Sequence, residues 1–330
     1  MDLSKTSSKL KLGFTLGDIA GIGPEIFEKF TQRLEYTKYK DLLEIILIDD
    51  LLDFKLKRDK VQKGKASKVS GEHIIKTLKK ANKMALSGEI DYLITGPVAK
   101  ESLALAGDYS SGQTEFLAKE NGLSTSDVEM FFICKDFRTV LATRHVAINK
   151  VSEEFQKKFT STVTNSLKAM QNIFGITNPK IAIAGLNPHC GENGLIGSEE
   201  KDFLRLKIQE LKQSLNLVTI TEPLAADSLF AQAGQNFLNN QKQDYDLYVA
   251  AYHDQALPMI KAIAGFNAIN LSAGLPYIRV SVDHGTAFDI VGQNKASEQS
   301  LIACTEFCLS LAKEKNSKKR SKTSGCSLIR

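Results

Sequence analysis

Three of the five histidines in the chain stand at the ends of apolar runs that read as strands. His145 closes RTVLATRH, His189 closes KIAIAGLNPH and His253 closes DLYVAAYH. Strand ends are where open α/β sheets gather their ligands. Taken singly, each is more often a core or surface residue; the repeated placement weighs against that for the set. Three neutral imidazoles with one open position suit a catalytic divalent metal, zinc first, with cobalt, nickel or manganese allowed by the same ligand type. Asp254 and Gln255 follow His253, and Asn187 and Glu192 flank His189, all suited to fixing an imidazole tautomer. Asn187-Pro188 also reads as a turn, and Asp227, in EPLAADSLF, reads either as an acid of the site or as a helix cap.

Two glycine-rich turns offer anion-binding backbone. GDIAGIGPE, from Gly17 to Glu25, follows an apolar run and opens a helix with Pro24 in its first turn, yet lacks the G-x-G-x-x-G spacing of a Rossmann site. GDYSSGQT sets Gly107, Gly112 and Thr114 at P-loop spacing, but Gln113 stands where the phosphate-binding lysine belongs, which leaves an NTPase a weak alternative. Near the C-terminus, GLPYIRVSVDHGTAFDIVG gathers Arg279, Asp283, His284, Gly285, Thr286 and Asp289. Lys261, Asn270 and Arg279 together suit a polar, cationic pocket for a phosphorylated substrate, the guanidinium fork matching phosphate oxygens.

The elements that must position these residues follow from patterning. Short apolar runs alternate with helical periods, as expected for helices packed on a mostly parallel sheet. Strands are predicted at 11–16, 43–48, 92–95, 130–134, 139–146, 180–184, 246–252 and 268–271. One helix from Glu72 lines up Ile74, Ile75, Leu78, Ala81, Met84 and Ala85; another from Val151 lines up Phe155, Phe159, Val163, Leu167 and Met170. The basic run 55–68 reads as an exposed connection.

At 330 residues, with 42% apolar and 25% charged side chains, the composition excludes disorder, and no run approaches a membrane span. The first eighteen residues lack the apolar run of a secretory signal. Five cysteines without a C-x-x-C pair read as reduced thiols, so a cytoplasmic location is expected. The net charge of +5 sits in the tail: Lys313 to Arg330 holds seven basic residues and one acid, which leaves the rest near neutral and excludes a nucleic-acid binder. That tail reads as a frayed, solvated end.

The segments GDIAGIGPEI, YLITGPVAK, SGQTEFLA, ATRHVAI, AGLNPHCGENGLIGSEE, PLAADSLF, YHDQALPMIK and NLSAGLPYIRVSVDHGTAFDIVG resemble, in order, those of the 4-hydroxythreonine-4-phosphate dehydrogenase family of vitamin B6 synthesis. The resemblance implies an α/β, isocitrate/isopropylmalate-dehydrogenase-like fold with two α/β/α domains flanking a cleft. One domain would be 1–115 with 275–330, including a basic tail from about 313, and the other 116–274. It implies a homodimer with the metal site shared across the interface, and His145, His189 and His253 as metal ligands, magnesium being a further candidate ion. By matching position, Gln113, Thr114, Lys261, Asn270 and Arg279 contact substrate, while Lys261, Asp254 and Asp227 lie near the reacting centre. Asp283, His284, Gly285, Thr286 and Asp289 fall on the loop that holds the adenosine of NAD or NADP.

The implied reaction is NAD-dependent, metal-dependent oxidation and decarboxylation of 4-phosphohydroxy-L-threonine to 3-amino-2-oxopropyl phosphate. The family usually carries His at Gln113, Pro at Ile19 and Asn at Ala99, departures that bear on the substrate. The alternative is therefore a dehydrogenase of a four-carbon sugar-acid phosphate, threonate or erythronate 4-phosphate. A zinc hydrolase and a non-catalytic phosphometabolite-binding protein stand further off, the first because it leaves the DHGTAFDIVG segment without a role.

Overall fold

The computed structural model describes residues 9–34, 39–49, 51–215 and 218–324. The chain forms two compact units, Met1–Gly122 with Leu275–Arg330, and Leu123–Gly274. In chain order the first unit begins with β1 (Leu10–Thr15), α1 (Gly23–Leu34), β2 (Leu43–Leu47), α2 (Leu51–Arg58) and α3 (Lys68–Ser87). It continues with β3 (Tyr92–Thr95), α4 (Lys100–Leu105) and α5 (Gln113–Glu120). The second unit carries β4 (Glu129–Cys134), β5 (Phe137–Leu141), α6 (Val151–Asn172), β6 (Lys180–Ala184), α7 (Arg205–Ser214) and β7 (Thr219–Leu224). It closes with α8 (Ala226–Leu238), β8 (Leu247–Ala250), α9 (His253–Ala264) and β9 (Ile269–Ala273), and the chain returns to the first unit as β10 (Arg279–Val282) and α10 (Gln299–Ser324).

In the first unit the strand order is β2-β1-β3-β10, all parallel. Parallel strands are covered on both faces, so they read as unbroken apolar runs: β3 is buried at every position. Helix α3 starts at the cap Ser67, whose side chain accepts from the Ser70 amide, and stops at Gly88 in a left-handed conformation (φ 75°). Gly71 lets it approach α4, since a Cβ there would fall 1.9 Å from the Ser102 carbonyl oxygen.

In the second unit the order is β9-β4-β5-β8-β6-β7, with β4 antiparallel to both neighbours and the other pairs parallel. Helix α6 buries Val151, Phe155, Phe159, Val163 and Leu167, an apolar stripe at four-residue steps that fixes which face meets the sheet.

All eight predicted strands are present, though β5 ends at Leu141 and leaves His145 in the loop beyond it. Two strands escape the sequence pattern. β7 (TITEPL) carries a glutamate and a proline, tolerated because β6 is its one paired neighbour among the described residues. β10 (RVSV) buries an arginine and a serine. The basic run 55–68 is not one connection: α2 takes its start, and α3 begins at Lys68. The lysine-rich tail does not fray at 313 either, because α10 continues to Ser324 and Lys315 lies 5.5 Å from the centre of the Tyr92 ring. Cys326 and the rest of the tail beyond 324, like the first eight residues, lie outside the described residues.

Candidate active site

In the second unit, the loops that follow β5 and β8 bring two of the three strand-end histidines together. The rings of His145 and His253 have centroids 5.9 Å apart and are tilted by 42°. They line a cavity of about 340 Å³ with Arg144, Ile148, Tyr252 and Asp254. With a Zn–N bond of roughly 2.0–2.1 Å an imidazole centre sits about 3 Å from its ion, so two ligands to one ion have centres at most about 6 Å apart. The observed separation meets that condition. His253 is the first residue of α9, and its Nδ1 lies 2.6 Å from Asp254 Oδ1. A carboxylate only accepts, so Nδ1 is the donor, which leaves Nε2 as the ring nitrogen available to a cation.

His189 shows the same device, with Nδ1 2.8 Å from Glu192 Oε1. Its pKa is raised, first by the hydrogen bond to Glu192, with the charge of Asp227 adding to it. Asp227 is not a cap: Ala225 holds that position and Asp227 sits in the first turn of α8. The backbone at His189 is unusual, because His189, Cys190, Gly191, Glu192 and Asn193 form a run of left-handed conformations with φ between 42° and 74°. Asn187 buttresses the turn, its amide group donating to Glu199 and Glu200 at 2.7 and 2.9 Å. Among the described residues, no three His, Cys, Asp or Glu side chains converge on one point, so His189 does not join the other two within one chain.

Lys261 is exposed on α9, about two turns beyond His253. Asn270, in β9, is buried with its Oδ1 lacking a hydrogen-bond partner, an acceptor available to a donor on a ligand.

The first unit places the anion-binding candidates together. Arg279, 2% exposed, donates from Nη1 to Thr114 Oγ1 at 3.1 Å. Its Nε and Nη2 both donate to Thr95 Oγ1, at 3.0 and 2.6 Å. Burial pushes its pKa down to about 10, which leaves it cationic at neutral pH. Gln113 opens α5 and donates from Nε2 to the Gly96 carbonyl at 2.9 Å, which leaves its buried Oε1 as a fixed acceptor. Asp283, His284, Gly285, Thr286 and Asp289 follow β10 on a loop with one short turn, Phe288–Ile290. Asp289 is exposed, and a Cβ on Gly285 would meet nothing within 4 Å. An exposed carboxylate beside open backbone fits the ribose hydroxyls of a dinucleotide, which donate to such an acid.

Sequence reasoning missed Thr95 and Arg144. Thr95 ends β3 directly before Gly-Pro, a position that flags a strand end but not its arginine partner. Arg144 donates from Nη2 to the Val128 carbonyl at 2.6 Å and reaches Glu129 at 3.3 Å, anchoring the loop that carries His145.

Residues 24–308 match the family described as pyridoxal phosphate biosynthetic protein PdxA. A 4-hydroxythreonine-4-phosphate dehydrogenase of Synechocystis is 34% identical, covering 92% of this chain and 96% of that protein. A D-threonate 4-phosphate dehydrogenase of Pectobacterium atrosepticum is 30% identical, covering 91% of this chain and 99% of that protein. Among solved structures, a 4-hydroxythreonine-4-phosphate dehydrogenase from Klebsiella pneumoniae superposes with a TM-score of 0.73 at 26% identity, covering 92% of this chain and 100% of that one.

Proposed function

The chain belongs to the PdxA family of pyridoxal phosphate biosynthetic proteins, and from that premise we propose that it oxidises the secondary alcohol of 4-phosphohydroxy-L-threonine with NAD. The resulting β-keto acid loses CO2 to give 3-amino-2-oxopropyl phosphate. The observation that carries this reading is the His145–His253 pair, 5.9 Å between ring centres at the wall of a cavity. An oriented imidazole and an open cavity are what a reaction needing both an alkoxide and an electron sink requires.

Each residue has a task. His145 and His253 hold two positions of a divalent cation, with Asp254 orienting His253. His189 of a second copy supplies the third, which makes the site that of a homodimer. Exposed Ile148 and Leu195, 73% and 85% accessible, lie near His145 and His189 in sequence and support an apolar contact there. A metal held there would supply the Lewis acidity that alkoxide formation and decarboxylation need, and bound NAD would supply the hydride acceptor. Arg279 and Thr114 bind phosphate oxygens, Gln113 Oε1 and Asn270 Oδ1 accept from donors on the substrate, and Lys261 relays the proton while Asp254 is held by His253. Asp227 tunes the charge around His189. The Asp289 carboxylate repels a 2′-phosphate, which favours NAD over NADP.

The second reading keeps the chemistry and changes the substrate to threonate or erythronate 4-phosphate; the relative from Pectobacterium atrosepticum favours it. No helix among the described residues is long and apolar enough to cross a membrane, and the proposed setting is cytoplasmic. The test is NADH formation by metal-loaded protein on each substrate, with and without chelator. Chelator-sensitive turnover of 4-phosphohydroxy-L-threonine is the expected result. Turnover of the sugar-acid phosphates alone transfers the assignment to the second reading, and no turnover on any of the three overturns both.

A further inference from the structure

Helix α1 carries Glu25, Lys29 and Arg33 at four-residue spacing, which puts them on one stripe. Every member of that stripe bonds the segment that follows β10. Glu25 Oε2 accepts from the Gly292 amide at 3.1 Å. Lys29 Nζ donates to the carbonyls of Asn294 and Ala296 at 3.0 and 2.6 Å. Arg33 donates to Glu298 at 2.8 Å. Glu25 and Lys29 also pair with each other at 3.3 Å, so one charge steadies the next. Just before the helix, the Ile22 amide donates to the Thr286 carbonyl at 3.0 Å. Gly21 permits that approach, since a Cβ there would lie 2.9 Å from the same oxygen.

The segment needs such support. Between β10 and α10 its one regular piece is the turn Phe288–Ile290. It also holds Ala287 in a left-handed conformation, φ 43°, which strains a residue with a Cβ, and Asn294 at φ 57°. The position of α1 itself does not depend on the stripe alone, because the adjoining face buries Ile26 and Phe30 completely in the core. The polar stripe is therefore not all that holds the helix.

We propose that Glu25 and Lys29 are positioning residues for the dinucleotide: the stripe of α1 holds residues 286–298 in the conformation that receives the adenosine of NAD. This rests on the proposed dehydrogenase reading and on Asp289 as the ribose acceptor. It assigns to α1 a role in cofactor affinity and none in the chemical step.

The test is a fluorescence titration of the full chain with NADH, comparing wild type with Lys29→Met, which keeps the stem and removes the cation, and with Lys29→Arg. Loss of a charge-assisted hydrogen bond is expected to weaken NADH about tenfold in Lys29→Met, with Lys29→Arg restored to within about threefold. The KM for NAD rises in parallel while kcat at saturating NAD and the KM for the phosphorylated substrate hold. Amide exchange at Gly292 speeds up. Where Lys29→Met fails to fold, Glu25→Gln makes the same measurement from the other partner, and equal NADH affinity in that variant overturns the proposal. NADH binding in Lys29→Met within about twofold of wild type also overturns it. If wild type itself binds no NADH, the dinucleotide reading falls and takes this role with it. Wild-type binding with unaltered variants removes the role of α1 alone.

Discussion

Arg279 Nη2 donates to Thr95 Oγ1 at 2.6 Å, and the same hydroxyl takes Nε at 3.0 Å. The two residues stand on neighbouring parallel strands, β10 and β3. A buried guanidinium fixed in place by two threonine hydroxyls presents its fork in a set orientation, which suits the site to an anion.

Substituting Arg279 therefore tests the anion site directly. Arg279→Met removes the charge and the fork while keeping an unbranched side chain. The same variant raises the KM for a phosphorylated substrate at least about a hundredfold. Steady-state kinetics check this, with thermal unfolding showing that the variant is folded; an unchanged KM in a folded variant contradicts the argument.

The contact between His253 and Asp254 leads to a second expectation. Asp254 is 77% exposed and holds Nδ1 of His253 at 2.6 Å, so Asp254→Ala removes an orienting group without opening the core. Affinity for zinc falls about 10- to 100-fold while the unfolding midpoint of the metal-free protein stays put. Competition with a chelating dye measures the first, and unchanged affinity would separate Asp254 from the metal site.

Much of this was legible in the sequence because parallel strands and amphipathic helices write their burial directly into residue order. The β3 and β6 runs, the four-residue stripe of α6, and the strand-end placement of His145 and His253 all follow from periodicity. What escaped depends on partners distant in sequence. β10 is unreadable from RVSV because its buried arginine is met by hydroxyls from Thr95 and Thr114, distant in sequence. The left-handed run around His189 has one glycine inside it, Gly191, where the conformation it adopts would lead one to expect several. The polar stripe of α1 reads as a solvated face until the segment 292–298 is seen lying against it.

Glu129 offers a pH test in the second unit. Burial raises its pKa above 4.5, and the neighbouring Arg144 only partly opposes this. A raised carboxylate pKa means that the native state holds its proton where the unfolded chain has lost it. The associated stability is fully present below 4.5 and is lost as pH rises through the native value. Glu129→Gln removes that titration, so the decline in urea-unfolding free energy just above pH 4.5 is shallower than in wild type, by up to about one proton's slope. Identical pH profiles for the two proteins would contradict it.

Gly191 tests whether the left-handed turn matters to the metal. Its φ is +74°, and a Cβ there would lie 2.5 Å from the Gly197 carbonyl oxygen and 2.9 Å from Glu200 Oε2. Gly197 cannot retreat readily, because its own Cβ position is closed by the Asn187 side chain at 2.5 Å. Gly191→Ala must therefore unwind the turn locally, at a cost of about 1–3 kcal/mol, and the His189–Glu192 bond unwinds with it. The expected result is a lower unfolding midpoint together with weakened metal binding. Gly194→Ala, with φ +101° but open space around the added carbon, bears the conformational cost without the clash. If the turn positions His189, Gly191→Ala loses metal affinity much more than Gly194→Ala does; equal losses would assign the effect to backbone strain alone, and no loss in either would detach His189 from the site.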